Sequence, residues 1–406
     1  MKKISLLAAA FFLSFVTPAW AQVEEQKKIF EIYGLVMTDV IYNFNQIHPD
    51  YFDVVRPSQL PSFQGEYGTD GNVFFGVRQS SFGVKSYTTT RFGEFKTIFE
   101  FDLFGLGKNA GQTAFHFRKA WAELGHFGVG LFWSVFCDFD LFPNSLEYWG
   151  PNGMALFPNI QVRYMPIMGE THLYFALERP GASADQGIYA DRIEMENVKA
   201  RFPVPDLTAE YRYGGSFGYV ELAGLLRYIS WEDMKDDSLD QSGEVLGWGL
   251  NLSSKVNFTN SLAGHFCVVL GKGVENYMND GPIDIALENN FSDPARPVIG
   301  VALPVLGYMA FLDMQWNEKF SSSAGYSFSG ITNSNGQVPS AFKSGQYMLA
   351  NLLYYPVKNV MAGIELQYAT RENYNDGWET GMLKIQFSFR YKFLKEFYSI
   401  QKPEDL

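Results

Sequence analysis

Residues 381–393 read GMLKIQFSFRYKF. Leu383, Ile385, Phe387, Phe389, Tyr391 and Phe393 form one set, and Lys384, Gln386, Ser388, Arg390 and Lys392 form the other. Side chains that alternate with strict period two belong to a strand with two unlike faces. The same alternation recurs upstream. Val360, Ala362, Ile364, Leu366 and Tyr368 alternate with Met361, Gly363, Glu365, Gln367 and Ala369, and Phe95, Thr97, Phe99, Phe101 and Leu103 alternate with Lys96, Ile98, Glu100 and Asp102. About sixteen such segments can be read: 31–44, 73–87, 93–104, 114–125, 127–135, 159–167, 170–178, 206–213, 218–231, 245–257, 262–274, 308–318, 320–331, 344–355, 359–371 and 381–393. The connections after even-numbered segments run roughly one to six residues and those after odd-numbered ones up to about 35, the pattern of an outer-membrane barrel with short periplasmic turns and long extracellular loops. A soluble β-sandwich also alternates, but its apolar face points into a core and it has no cause to sort its loops by length. Phe30, Tyr33, Tyr391 and Phe393 suggest aromatic girdles at the strand ends. The fold expected is all-β: a sixteen-stranded antiparallel transmembrane barrel spanning 31–393.

Composition removes other classes. The chain has 406 residues, of which 17% are aromatic and 19% charged, too apolar for intrinsic disorder. Past the N-terminus, the longest apolar stretch is Val298–Leu312, interrupted by Gly300, Pro304 and Gly307. A spanning helix needs about 20 unbroken apolar residues. A net charge of −12 argues against a nucleic-acid partner. Lys2 and Lys3, the apolar run Ile4–Val16 and Ala19-Trp20-Ala21 make a secretory signal peptide over 1–21, followed by a short periplasmic segment, 22–30. Cys137 and Cys267 fall far apart in the strand order, so two small buried or lumen-facing thiols are expected rather than a disulfide.

In hydrocarbon every backbone donor and acceptor must pair within the protein, and closing the sheet removes its edges. Sixteen strands leave a lumen that wall side chains cannot fill. With the apolar phase toward lipid, the inward phase carries Lys96, Arg118, Arg163, Arg212, Arg227, Lys255, Arg371, Lys384, Arg390 and Lys392, against Glu100, Asp102, Glu178, Glu210, Glu221, Asp313 and Glu365. Ala120 and Ala122 are placed in the same phase as Arg118. The acids concentrate elsewhere: residues 45–72 hold four acids and one base, 231–244 six and one, and 274–297 five and one. The negative net charge therefore describes the outer loops, and the wall is mildly basic, with Lys96, Arg118, Lys384 and Arg390 as an anion-facing stripe. The alternative is that wall charges pair with one another and only keep the lumen wet.

No enzyme is expected. The histidines at 48, 116, 126, 172 and 265 show no metal-ligand spacing, no hydrolase nucleophile elbow is expected, and neither a metal nor a cofactor is predicted. Asp233, Asp236, Asp237 and Asp240 make a solvated acidic loop, with divalent cations and lipopolysaccharide as the alternative reading.

Three stretches resemble a known family. VFFGVRQSSFGVKS (73–86), EFKTIFEFDLFGLGKNAGQTAFHFRKAWAELGHFG (94–128) and FDLFPNSLEYWGPNGM (139–154) look like the DcaP-like porins of Gram-negative bacteria. The first is a general porin strand pattern, while the other two are long and specific. The resemblance implies a homotrimeric sixteen-stranded porin with an inward-folded third loop, and passive uptake of small, often anionic solutes such as dicarboxylates. It makes 136–158 the constriction loop, carrying Asp138, Asp140 and Glu147 beside Asn144, Tyr148, Trp149 and Asn152. Acids on that loop, facing a basic wall, would set a transverse field across the narrowest point. Some members carry a coiled-coil arm before the barrel, and Gln22–Phe30 is too short for one. Leu394–Leu406 follows the last strand and either docks as a plug edge or trails in the periplasm. The partners expected are outer-membrane lipid, lipopolysaccharide, the barrel-assembly machinery and small polar or anionic solutes. The competing functions are a substrate-specific channel with a binding site at the constriction and a secreted β-rich binding or structural protein.

Overall fold

A computed structural model describes residues 26–193, 195–235, 240–294 and 296–400. The segment expected to be a signal peptide (1–21), part of the acidic loop (Asp236 and Asp237) and the last six residues lie outside them. Sixteen strands form the wall. They are β1 (Gln26–Asn43), β2 in two pieces (Asn72–Gly76 and Ser81–Thr90), β3 (Gly93–Phe104), β4 (Thr113–Leu124), β5 (Phe127–Trp133), β6 (Pro158–Ile167), β7 (His172–Glu178) and β8 (Asp206–Gly215). The second half is β9 (Gly218–Asp233), β10 (Gly243–Asn257), β11 (Leu262–Lys272), β12 (Pro304–Asn317), β13 (Phe320–Ile331), β14 (Phe342–Tyr354), β15 (Val360–Asn373) and β16 (Glu379–Ile400). Each pairs antiparallel with the next, and β16 pairs with β1 from Asn43↔Lys384 to Gln26↔Ile400, closing the barrel.

The outside is apolar and the inside polar, the inverse of a sandwich. On β16, Phe387 and Phe389 are about half exposed, while Lys384 and Gln386 are fully buried in the interior. Phe92, Phe127, Tyr164, Tyr213, Phe217, Phe258, Trp316 and Tyr391 stand exposed beside the short turns, forming a girdle at that end. Tyr33 is not part of it. Its ring turns inward, its hydroxyl donates to Glu100 at 2.7 Å, and Gly83 opposite has no Cβ because one would sit 2.4 Å from the ring.

Both chain ends run further than the alternation indicated. Residues 26–30 already belong to β1, and Leu394–Ile400 continues β16 against residues 26–33, so this stretch is neither a plug nor a trailing tail. Lys395 interrupts the apolar phase here and hid the strand from a pattern count.

The interior differs most from a simple water-filled tube. Loops L1 (44–71), L3 (134–157) and L6 (273–303) fold inward and pack a hydrophobic core against the wall. Val55, Leu60, Phe136, Leu141, Met154, Tyr277 and Met278 meet Val305, Met309, Phe311, Tyr347 and Leu349. On β12 the inward phase is therefore also apolar. Cys137 and Cys267 sit in this core as free thiols. Beyond the barrel, short strands of the 179–205 loop and of L6 form a small sheet.

Candidate functional site

L3 leaves β5 and crosses the lumen to the opposite wall. The Asn144 amide donates to Asp313 at 3.1 Å, and the Leu146 and Glu147 amides donate to the two oxygens of Glu365 at 2.7 and 3.2 Å. Asn152 Nδ2 donates to the Gly345 carbonyl at 2.9 Å. At Gly153 the loop backbone touches β12 and β13, where an added Cβ would lie 2.1 Å from the Phe328 carbonyl oxygen. Its amide donates to Ser327 Oγ at 2.8 Å. The loop lies inside the barrel, because each of these acceptors is on the inner wall.

The loop's acids are consumed by this seating. Asp138 accepts from Arg212 at 2.8 Å, from the Tyr219 hydroxyl at 2.8 Å and from Ser253 at 2.6 Å. Asp140 pairs with the same guanidinium at 2.7 Å. Glu147 accepts from the Gly150 amide at 3.2 Å, and from the Val55 amide and the Tyr347 hydroxyl. Burial pushes its carboxyl up to about 7. Tyr148 stacks on Phe104 at 3.9 Å and donates to Asp102 at 2.6 Å, and the Trp149 indole donates to the Asn279 carbonyl at 2.7 Å. The transverse field expected from free acids facing a basic wall is thus largely internalised as loop-to-wall ion pairs and hydrogen bonds. A buried carboxylate is costly unless paired.

Several wall bases serve the same purpose. Arg227 is buried between Asp206 (3.0 Å) and Asp284 of L6 (2.8 Å). Arg371 donates to the Ser58 and Leu60 carbonyls of L1 at 3.0 and 2.8 Å, and Lys384 to the Asp53 carbonyl at 2.6 Å. Arg163 donates to the Trp133 carbonyl at 2.6 Å. So Arg163, Arg212, Arg227, Arg371 and Lys384 face inward as expected, but they clamp loops or wall backbone rather than a free lumen. Asp53, Asp280 and Asp284, assigned to an outer acidic surface, are buried beneath it, Asp53 on Arg78 at 2.7 Å and Asp280 on Arg56 at 3.0 Å. Lys96, Lys255 and Lys392 have no ion pair among the described residues.

A cavity of about 240 Å³ remains between L3 and the wall of β1, β4, β5 and β16. Arg118, Arg390 and His116 line it together with Trp133, Phe142 and Trp149. Arg390 has no carboxylate partner among the described residues. Arg118 is shared with Glu100 at 3.4 Å and Asp102 at 3.6 Å. Of the proposed stripe, Arg118 and Arg390 meet here, and Lys96 and Lys384 do not. A register shift in β4 was missed. Glu100 pairs with Lys119 but Phe101 with Phe117, so Arg118 is the extra residue of a bulge. The phase therefore flips: Lys119 faces inward and ion-pairs Glu100 at 3.0 Å, while Ala120 and Ala122 move to the lipid phase. His116 shares the inward phase with Arg118 and was legible on that ground.

Two arrangements run against expectation. The hydrolase-elbow spacing Gly-x-Ser-x-Gly does occur, at Gly214–Gly218, but it forms the tight β8–β9 hairpin turn, not the strand-to-helix turn that the motif requires. His172, Glu210 and Glu221, distant in sequence, converge on the inner wall with donor atoms within 4.8 Å of one another.

The channel DcaP of Acinetobacter baumannii has the same fold, with a TM-score of 0.73 at 16% identity over 90% of this chain and 97% of that one. An anion-selective porin from Comamonas acidovorans (0.55, 10% identity, 90% and 100% covered) and OmpT of Vibrio cholerae in its trimer form (0.53, 10%, 90% and 99%) share the architecture. A comparison with curated protein sequences returned no match. The sequence model of the DcaP outer membrane protein family matches residues 21–393. A closed sixteen-stranded barrel with its apolar face outward and a cavity inside is an outer-membrane channel of the porin type, and this chain belongs to the DcaP outer membrane protein family.

Proposed function

We propose that the protein is a homotrimeric porin passing small hydrophilic solutes down their gradients, with a bias toward anions of the dicarboxylate class. The observation that carries this reading is the pair Arg118 and Arg390 on one 240 Å³ cavity beside L3. Two guanidinium groups on a small aqueous site raise the local anion concentration and suit two carboxylates. The anion-selective relative by fold and the trimeric one lend support. Export by a signal peptide cleaved after Ala21, insertion by the barrel-assembly machinery and contact with lipopolysaccharide complete the proposal. The test is a planar bilayer under a KCl gradient. A reversal potential on the anion side is expected, and a cation preference would overturn the bias. The aromatic walls Trp133, Phe142 and Trp149 favour one second reading, a solute-specific site in the same cavity. Succinate that blocks chloride current saturably would select it over a general pore.

A further inference from the structure

We propose that the inner wall at the short-turn end of β7, β8 and β9 carries a divalent-cation site, formed by His172, Glu210 and Glu221 and suited to Zn²⁺. Strand register builds it. The β7–β8 pairing sets His172 opposite Arg212 and Tyr174 opposite Glu210, and the β8–β9 pairing sets Glu221 opposite Arg212. Three strands therefore present one imidazole and two carboxylates to one spot. His172 Nε2 lies 3.2 Å from Glu210 Oε1 and 4.0 Å from Glu221 Oε2. Tetrahedral zinc with bonds of about 2.1 Å needs donors about 3.4 Å apart, and the three donor atoms, all within 4.8 Å of one another, would draw together around the ion, with water as fourth ligand.

An independent observation points to a ligand. The Glu221 side chain is 1% exposed. Its Oε2 accepts from Arg212 at 2.6 Å, but its Oε1 meets no donor among the described residues. A buried carboxylate oxygen without a partner is costly, and a cation removes that cost. The imidazole is prepared as a ligand. Nδ1 lies 3.0 Å from the Gly169 carbonyl, which can only accept, so a proton is fixed there and Nε2, turned toward Glu210, is the ring atom left for a cation. That carbonyl is the outer contact metal-bound histidines commonly have. The Tyr174 ring stacks on the imidazole at 4.4 Å and holds its plane. Electrostatics agree: Asp138, Asp140 and Glu221 surround the guanidinium of Arg212, and Glu210 stands beside His172. Arg163, 5.5 Å from the Tyr174 ring, is a second cation that interacts with Glu210. One imidazole with two carboxylates favours zinc and its first-row neighbours over calcium, which takes six or more oxygens.

The experiment uses the full chain, purified in detergent, stripped with EDTA and titrated with ZnCl₂ by calorimetry. Saturable uptake of one Zn²⁺ per chain is expected. His172→Ala and Glu221→Gln should each weaken it by at least about 10-fold, whereas His48→Ala on L1 should leave it unchanged. Heat-modifiable migration in gels identifies the folded variants. CoCl₂ gives a readout that needs no variant: the intense visible band of a four-coordinate site is expected. The weak spectrum of the hydrated ion, no saturable Zn²⁺ uptake, or undiminished binding in folded His172→Ala would overturn the assignment.

Discussion

Replacing Arg390 by glutamine should weaken anion preference more than the same change at Arg118. The reason is how each charge is compensated. Arg118 faces Glu100 at 3.4 Å and Asp102 at 3.6 Å, whereas Arg390 has no carboxylate partner among the described residues. A sphere of 240 Å³ has a radius of about 4 Å, so a solute at its centre lies roughly 5 Å from a guanidinium at its edge, where one unit charge contributes about 0.8 kcal/mol at the dielectric constant of water. The charge attracts the anion and repels the cation by that amount, so Arg390→Gln should change their difference by about 1.6 kcal/mol; since about 1.4 kcal/mol is a factor of ten, the anion-to-cation permeability ratio should fall about 15-fold. Arg118→Gln should shift it by less than half as much in free energy. The assay is the reversal potential of single channels in planar bilayers at about 0.1 M mean KCl, repeated near 1 M, where a screening length of about 3 Å should erase most of the difference. An unchanged ratio in Arg390→Gln, or a larger effect from Arg118→Gln, would refute the idea that uncompensated charge at this cavity selects the ion.

Three further outcomes follow from the seating of the loops. Arg227→Ala leaves Asp206 and Asp284 buried without their cation and should cost about 3–5 kcal/mol, measured as an earlier guanidinium midpoint; a shift under about 1 kcal/mol would mean the pair is solvated. Glu147 holds its proton more tightly folded than unfolded, with a carboxyl at about 7 instead of 4.5, so its contribution is full below about pH 4.5, falls as the pH rises toward 7 and is flat above. The loss is about 3 kcal/mol, and Glu147→Gln should flatten the stability profile between pH 5 and pH 8; an unaltered slope would assign the dependence elsewhere. Gly153→Ala places a methyl group 2.1 Å from the Phe328 carbonyl oxygen, so L3 should lose its seat and unit conductance should rise; equal conductance would show that the loop does not limit the current.

The wall was legible because each of its strands carries a local rule, period two, with one face sorted for lipid. Every segment counted corresponds to a strand of the barrel. The lumen was less legible because its contacts join residues far apart in sequence. Arg371 reads as a pore cation by phase, yet its partners are carbonyls of Ser58 and Leu60 on a loop some three hundred residues earlier. Asp284 reads as a loop acid, yet it is buried on Arg227. The bulge at Arg118 was hidden for a different reason: in a regular strand only one of the adjacent bases Arg118 and Lys119 can face inward, and a single register slip lets both do so. The trio His172, Glu210 and Glu221 depends on the pairing of three strands and has no linear motif.

The inward loops also set an order of events during biogenesis. L1 and L3 lie in the first 40% of the chain, but their anchors lie late: Asp53 on Lys384, Ser58 on Arg371, Leu146 on Glu365. The interior therefore cannot reach its final packing until β15 and β16 have been made and β16 has joined β1. Until then L1 and L3 have β12 and β14 to pack on but not the anchors of β15 and β16, and a chain halted before closure has an open, unsealed wall. Constriction is the last property this barrel acquires, and factors that hold the nascent chain must shield those loops as well as the open sheet edges.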